Sequence, residues 1–228
     1  MSIKSFFGKI LAKRDVAQTK KWSSNPVETQ RRVLQQLLKT ATNTAFGKDH
    51  SFSEINNYED FKNQVPIRDY EGLKAYVERI KNGEQDILWK GSPLYFAKTS
   101  GTTSGAKYIP LTKESLAYQI KAAKSALLHY IVDSGNHHFI NGKMIFLQGS
   151  PELDMSPKVP NGRLSGIVAN FVPSYLQTNR LPSYKTNCIE DWEQKVDTIV
   201  KETLPEDMRL ISGIPSWVQM YFERLQAL

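Results

Sequence analysis

The chain has 228 residues, 40% of them hydrophobic and 23% charged, with only 13 Gly and 11 Pro, which excludes a disordered or fibrous chain. A single cysteine, Cys188, excludes a disulfide framework and fits a reducing compartment, the cytoplasm. The net charge of +7 sits largely at one end: the first 32 residues carry eight bases and two acids, so the rest is nearly balanced and nucleic acid is not an expected partner.

In chain order, Ile3, Phe6, Phe7, Ile10 and Leu11 recur at helical spacing between charged residues. Those charges leave no signal-peptide core, and no segment nears the roughly 18 apolar residues of a membrane span. The segment reads as a terminal helix laid on the body, with no membrane partner. Asn25-Pro26 starts a second helix, with Glu28 able to close a capping box. Leu34, Leu37, Leu38, Ala41 and Ala45 carry its apolar stripe to Phe46-Gly47. Tyr58, Phe61 and Val65 predict a short helix before Pro66. Asp69 caps another, in which Leu73, Tyr76, Val77 and Ile80 face one way until Gly83.

From residue 87 the pattern changes to short apolar runs bounded by turn residues, the signal of buried strands. The runs are 87–89, 94–97, 144–147, 167–169 and 209–212. A loop over 99–110 precedes a long helix capped by Thr112, with a stripe of Leu116, Ile120, Ala123, Leu127 and Ile131, stopped by Gly135. Ile189, Trp192, Val196, Ile199 and Val200 predict a further amphipathic helix. Ile214-Pro215 opens a last one, with Trp217, Val218, Tyr221, Phe222 and Leu225. Strands alternating with helices argue for an α/β fold: a mainly helical region over 1–86, then a mixed or parallel sheet flanked by helices over 87–228. The last helix reaches Leu228 without a glycine cap or polar tail, which reads as truncation. Its aromatic residues Trp217, Tyr221 and Phe222 are expected in the core, or else on a surface left bare by truncation, where they would favour self-association.

The segment richest in chemistry is Phe96-Ala97-Lys98-Thr99-Ser100-Gly101-Thr102-Thr103-Ser104-Gly105-Ala106-Lys107-Tyr108-Ile109-Pro110. It packs five hydroxyls and two glycines into seven consecutive positions. Gly101 and Gly105 permit backbone angles that turn successive N–H groups toward one point. The hydroxyls of Thr99, Ser100, Thr102, Thr103 and Ser104 add donors, and Lys107 adds positive charge. Donors and charge converging on one spot suit a polyphosphate. The spacing is not that of a Walker A loop, a dinucleotide loop or a nucleophile elbow. On composition alone, a solvated Ser/Thr/Gly turn is the competing reading.

Thr99-Ser100-Gly101-Thr102-Thr103-Ser104-Gly105-Ala106-Lys107 resembles the phosphate-binding loop of adenylate-forming enzymes. Phe46-Gly47-Lys48, Asp60-Phe61, Val65-Pro66-Ile67-Arg68-Asp69-Tyr70 and Tyr108-Ile109-Pro110 narrow the resemblance to the GH3 auxin-responsive family in its bacterial form. Leu164-Ser165-Gly166-Ile167 and Gly213-Ile214-Pro215-Ser216-Trp217 add to it. The resemblance implies the N-terminal part of the large domain of an adenylate-forming enzyme, an acyl acid amido synthetase. Such an enzyme uses ATP and Mg²⁺ to turn a carboxylic acid into an acyl-adenylate, releasing pyrophosphate, and an amino acid amine then displaces AMP to form an amide. By motif position, Ser100–Gly105 would cradle the β and γ phosphates with Lys107 at the rim, and Thr99 would join them as a nucleotide-binding residue. Ser100, Thr102 and Thr103 would be the strongest contacts. Family members are about twice as long, and their segments for adenine, ribose and Mg²⁺, with the C-terminal domain, have no match here. No residue is therefore singled out as catalytic or metal-binding, and the chain alone is expected to be inactive. The alternative is a non-catalytic nucleotide-binding or scaffold protein that kept only the loop.

Other residues invite weaker readings. Adjacent His137 and His138 point in different directions without a third ligand at useful spacing, so a solvated loop is expected there. His50 and His129 are isolated and read as structural or surface residues. Glu152 and Asp154 lie in an irregular loop between prolines, and Cys188 has no basic partner nearby in sequence. The resemblance suggests Gln119, Ala123 and the stretch 163–171 as walls of an acyl pocket.

Overall fold

The structure, a computed structural model, describes residues 3–99, 105–155, 158–171 and 177–228. Its helices begin with α1 (Ile3–Ser23), α2 (Pro26–Ala41), α3 (Ala45–Asp49), α4 (Tyr58–Gln64) and α5 (Tyr70–Lys81). They continue with α6 (Lys113–Ser134), α7 (Leu164–Ala169), α8 (Tyr184–Asn187), α9 (Trp192–Thr203) and α10 (Pro215–Gln226). The strands are β1 (Tyr95–Lys98), β2 (Tyr108–Leu111), β3 (Lys143–Leu147), β4 (Asn161–Gly162), β5 (Arg180–Leu181) and β6 (Met208–Gly213). The result is the mixed α/β fold that the alternating pattern predicts. No described helix is long and apolar enough to cross a membrane.

Two compact units share the chain. The first takes Met1–Val16, Gln119–Leu153 and Gly162–Leu228. Its sheet runs β5-β3-β6, with both outer strands parallel to β3. Successive side chains of a strand point to opposite faces, and β3 is apolar on both. Ile145 and Leu147 pack with Val196, Ile199 and Val200 of α9 and Tyr221 of α10. Met144 packs with Ala12 of α1, Leu128 and Ile131 of α6, and Phe139. A parallel strand covered by helices on both sides needs this near-continuous apolar run. Val196 and Ile199 are wholly buried, and each such side chain contributes about 1.5–3 kcal/mol by leaving water. Trp217 stacks on Trp192 with centroids 4.1 Å apart, and the Tyr221 hydroxyl lies 2.8 Å from Thr203 Oγ1. Those two aromatics are core, as their spacing suggests, while Phe222 is about half exposed.

The second unit takes Ala17–Tyr118 and Asp154–Asn161. Here β1 and β2 form an antiparallel hairpin, Tyr95 opposite Leu111 and Lys98 opposite Tyr108, with β4 on the other side of β1. Val77, Ile80, Ile87, Phe96 and Val159 form one apolar cluster, and Leu38, Ala41, Phe52 and Ile55 another.

Several expectations need correction. The run 87–89 is not a strand: the carbonyls of Asp86 and Ile87 accept from Ala45 and Phe46 N–H, capping the first turn of α3 instead of joining a ladder. The run 167–169 is helical, part of α7, because a run of three apolar residues cannot by itself distinguish strand from buried helix. The loop expected through Pro110 ends earlier, since 108–111 pair as β2; as an edge strand β2 tolerates a proline. The second helix stops at Ala41, and Thr44, whose hydroxyl accepts from Gly47 N–H, starts the separate helix α3. Asn25 stands at the N-cap of α2 without a side-chain capping bond.

Helix α1 buries a different face from the apolar one. Phe6, Phe7 and Leu11 are 43–57% exposed, whereas Ser5 and Ala12 are fully buried. A side chain at Gly8 would meet Ile140 at 2.9 Å, so the helix approaches on its small residues, where backbones come closest.

Candidate functional site

The site is built on the second unit's hairpin. Strand β1 continues one residue beyond its last assigned position: Thr99 N–H donates to the Lys107 carbonyl at 3.0 Å, and Lys107 N–H donates to Thr99 Oγ1 at 3.2 Å. Thr99 and Lys107 are therefore held side by side. Gly105 has φ +80°, in the left-handed region open to glycine, with nothing within 4 Å of a Cβ placed there. Of the sequence-expected phosphate ligands, Thr99 and Lys107 are thus paired at the hairpin mouth, with Gly105 two positions before Lys107. Ser100, Gly101, Thr102, Thr103 and Ser104 lie outside the described residues.

The mouth is fixed from below. Tyr108 N–H donates to the Tyr70 hydroxyl at 3.0 Å, and Lys107 Nζ lies 5.7 Å from the Tyr70 ring centre. Beyond that ring, Lys107 forms no ion pair among the described residues. Tyr70 opens α5, whose N-cap is Asp69 accepting from Gly72 N–H at 2.9 Å. Next to it, Arg68 Nη2 donates to His50 Nε2 at 3.1 Å. That leaves His50 Nδ1 to carry the proton toward the Phe46 carbonyl at 2.8 Å. The Tyr76 hydroxyl donates to Asp49 at 2.7 Å; burial first, and then this bond, raises its pKa. Two of the motifs that carried the family resemblance thus meet, Tyr70 bonding Tyr108, while Arg68 bonds His50 just beyond the 46–48 motif.

Glycine serves the same purpose. A Cβ at Gly47 would stand 2.1 Å from the Ala41 carbonyl oxygen, and one at Gly166 would stand 2.5 Å from that of Ser150. At Gly213 it would meet Leu147 Cβ at 2.7 Å. Beside the hairpin base lies a cavity of about 380 Å³ lined by Lys81, Phe96, Tyr108, Asp154, Met155 and Asn161, with Lys81 Nζ 4.7 Å from the centre of the Tyr108 ring.

The remaining sequence candidates fall elsewhere. Asp154 bridges to Asn161 through paired backbone bonds, while Glu152 belongs to the first unit and meets Ser150. His137 Nδ1 lies 2.9 Å from the Gly135 carbonyl, and the two rings of His137 and His138 pack at 4.2 Å. His129 Nε2 is 3.9 Å from Asp15. Gln119 and Ala123 lie on α6, and 163–171 comprises α7 and its flanks. Cys188 follows α8, in contact with Tyr184. Among the described residues no group of three His, Cys, Asp or Glu could hold a metal ion. Sequence reasoning gave no role to Tyr70, although it stood within a quoted motif; only the pairing of Tyr108 with its hydroxyl reveals one.

Solved structures share this architecture. The chain superposes on an AtGH3.15 acyl acid amido synthetase in complex with 2,4-DB with a TM-score of 0.76 at 21% identity, covering 95% of this chain and 38% of that one. The fold is therefore that of the N-terminal region of acyl acid amido synthetases. A family model, the GH3 family N-terminal domain, matches residues 15–171, and the chain belongs to that family. It is 31% identical over 163 residues to the indole-3-acetic acid-amido synthetase GH3.15 of Arabidopsis thaliana, covering 69% of this chain and 26% of that protein. It is 25% identical over 126 residues to the jasmonoyl–L-amino acid synthetase JAR4 of Nicotiana attenuata, covering 54% of this chain and 21% of that one. The chain thus spans about a quarter of the length of these relatives.

Proposed function

We propose that this chain is the phosphate-loop portion, the N-terminal part of the large domain, of an ATP-dependent acyl acid amido synthetase. The observation that supports the reading is the pairing of Thr99 with Lys107 on either side of a hydroxyl- and glycine-rich stretch of sequence, Lys107 forming no ion pair among the described residues. Such a donor set fits the charge of a polyphosphate. Thr99, Ser100, Gly101, Thr102, Thr103, Ser104 and Gly105 would hold the β and γ phosphates, and Lys107 would neutralise charge at the rim. When bound, ATP supplies the activated phosphorus: a carboxylate oxygen of the acid bonds to the α-phosphorus, and pyrophosphate leaves. The amine of an amino acid then bonds to the acyl carbon, and AMP leaves. Holding the departing pyrophosphate in line is the part this loop can perform. No residue of this chain is assigned to Mg²⁺, and no step is routed through the ion. The names of the relatives support small acids and amino acids as the substrate classes.

Titrating the 228-residue chain with pyrophosphate tests the loop. Saturable binding is expected, and it should weaken about tenfold in Thr102→Ala/Thr103→Ala and in Lys107→Ala. Unchanged affinity in both variants would sink the assignment. The chain by itself is not expected to form amide product, so conjugate formed by it alone would overturn the division of labour.

A further inference from the structure

The first unit holds a second polar cavity, of about 300 Å³, lined among others by Gln148, Pro151, Ala169, Arg180, Ser183 and Asn187. Arg180 is mostly buried; its guanidinium lies 5.2 Å from the centre of the Phe146 ring, and Nη1 donates to the Ala169 carbonyl at 3.1 Å. Burial pulls its pKa down, and it forms no ion pair among the described residues. No undescribed residue is Asp or Glu, so none of them could pair with it through a side-chain carboxylate. A buried cation without a counter-charge is costly and uncommon.

Two further groups at this cavity are unsatisfied. Gln148 Nε2 and Asn187 Oδ1 are buried without hydrogen-bond partners among the described residues. Asn187 is only 4% exposed, and its Nδ2 donates to the Pro182 carbonyl at 3.2 Å, which assigns the free end of the amide as the oxygen. Both residues are held rigidly. The ammonium of Lys195, 2% exposed, donates to the backbone carbonyls of Asn187 and, at 3.2 Å, of Gln148. Glu202 accepts from Ser183 N–H and from the hydroxyls of Ser183 and Thr186, fixing the turn that carries Asn187. Buried polar groups in folded proteins are normally paired, and here the unpaired ones converge on one space.

We infer that this cavity binds a small carboxylate bearing a hydroxyl or amino group on the neighbouring carbon. The remaining guanidinium N–H groups match a planar carboxylate, and Gln148 Nε2 adds a donor. Asn187 Oδ1 then requires a hydrogen on the ligand, which the hydroxyl or ammonium provides. Pro151, Ala169 and Pro182 border the short hydrocarbon part, and the volume suits a small molecule. A phosphate dianion would exceed the charge of the single uncommitted guanidinium. This inference rests on the amido synthetase reading, whose substrate classes are small acids and amino acids, but not on the phosphate loop, so binding of pyrophosphate and binding of lactate or serine can fail separately.

The test is calorimetric titration of the 228-residue chain with L-lactate and L-serine, and with propionate, lactamide and inorganic phosphate as controls. Saturable binding of lactate or serine is expected, about tenfold weaker for propionate, which lacks the donor, and for lactamide, which lacks the charge. Arg180→Lys keeps the charge and loses the fork, and should cost about tenfold. Gln148→Glu, compared by its unliganded melting curve, is the second variant and should weaken binding similarly. No saturable binding of either acid, equal binding of propionate, tighter binding of phosphate, or unchanged affinity in both variants would each overturn the inference.

Discussion

In the first unit, β3 sends Ile145 and Leu147 into one apolar layer and Met144 into another. In the second, β1 and β2 meet a tyrosine hydroxyl, and the helices beneath them are tied by a guanidinium, an imidazole and a carboxylate. One region is held chiefly by non-directional burial, which tolerates exchange among similar side chains. The other adds to its two apolar clusters a set of directed bonds, each of which needs one residue type in one place. Of the family-like motifs of this chain, 65–70 and 108–110 fall among the directed bonds, where an exchange of residue type loses the contact, while 164–167 and 213–217 lie in the first unit.

The largest expected effect tests the packed sheet. Ile199→Ala removes a fully buried side chain between β3 and α10 and should destabilise the chain by about 2–5 kcal/mol in denaturant unfolding. Ile199→Val should cost under about 1.5 kcal/mol, as expected where volume rather than identity decides. Gly47→Ala is the counterpart in the directed region. Its Cβ meets a backbone carbonyl that cannot swing away, and a loss of about 3 kcal/mol is expected by the same measurement. A loss below that of Ile199→Val would show that α3 shifts freely and blur the contrast.

Tyr70→Phe removes the partner of Tyr108 N–H at little change in volume. It should cost about 1–2 kcal/mol and speed hydrogen exchange at Tyr108 while leaving the β3 amides unchanged. Equal exchange at Tyr108 in both proteins would mean that the ladder alone holds the hairpin mouth. Glu202 gives a pH test within the first unit. Burial pulls its pKa up, but the bonds from Thr186 and Ser183 outweigh this and leave it below the ordinary 4.5. A depressed carboxylate stabilises the fold above its unfolded value and loses that contribution as pH falls through the folded one. Glu202→Gln should therefore cost at most about 1 kcal/mol near neutral pH, the carboxylate being partly solvated, and should flatten the loss of stability below pH 4.5. A parallel acid limb in both proteins would exclude Glu202 as its source. Least affected, Phe222→Ser on the exposed side of α10 should change stability by less than about 0.5 kcal/mol.

Much of this was legible in the residues. Pro26 at the first turn, Asp69 and Thr112 as caps, and Gly83 and Gly135 as stops mark helix ends through local chemistry that the structure reproduces. The strands at 95–98, 143–147 and 208–213 followed from their apolar runs. The candidate loop was legible from hydroxyls and glycines crowded into a few positions. Helix α7 was misread because three apolar residues fit either period, and β2 was missed because Pro110 argues against a strand until its edge position is known. Nothing in sequence marked Arg180 or Lys195, since a lysine or arginine is ordinarily a solvated charge.

Local chemistry and periodicity, acting within a few residues, determined by themselves most helix starts, the apolar strands β1, β3 and β6, and that a hydroxyl- and glycine-rich segment joins two elements. Only the tertiary structure decided which face of α1 is covered, since the close approach at Gly8 favours small residues over the larger apolar ones. It alone brought Tyr70 beneath Tyr108, 38 positions away. It alone gathered Gln148, Arg180 and Asn187 around one cavity, because burial and distance between residues far apart in the chain are properties of packing, which no short window of sequence contains.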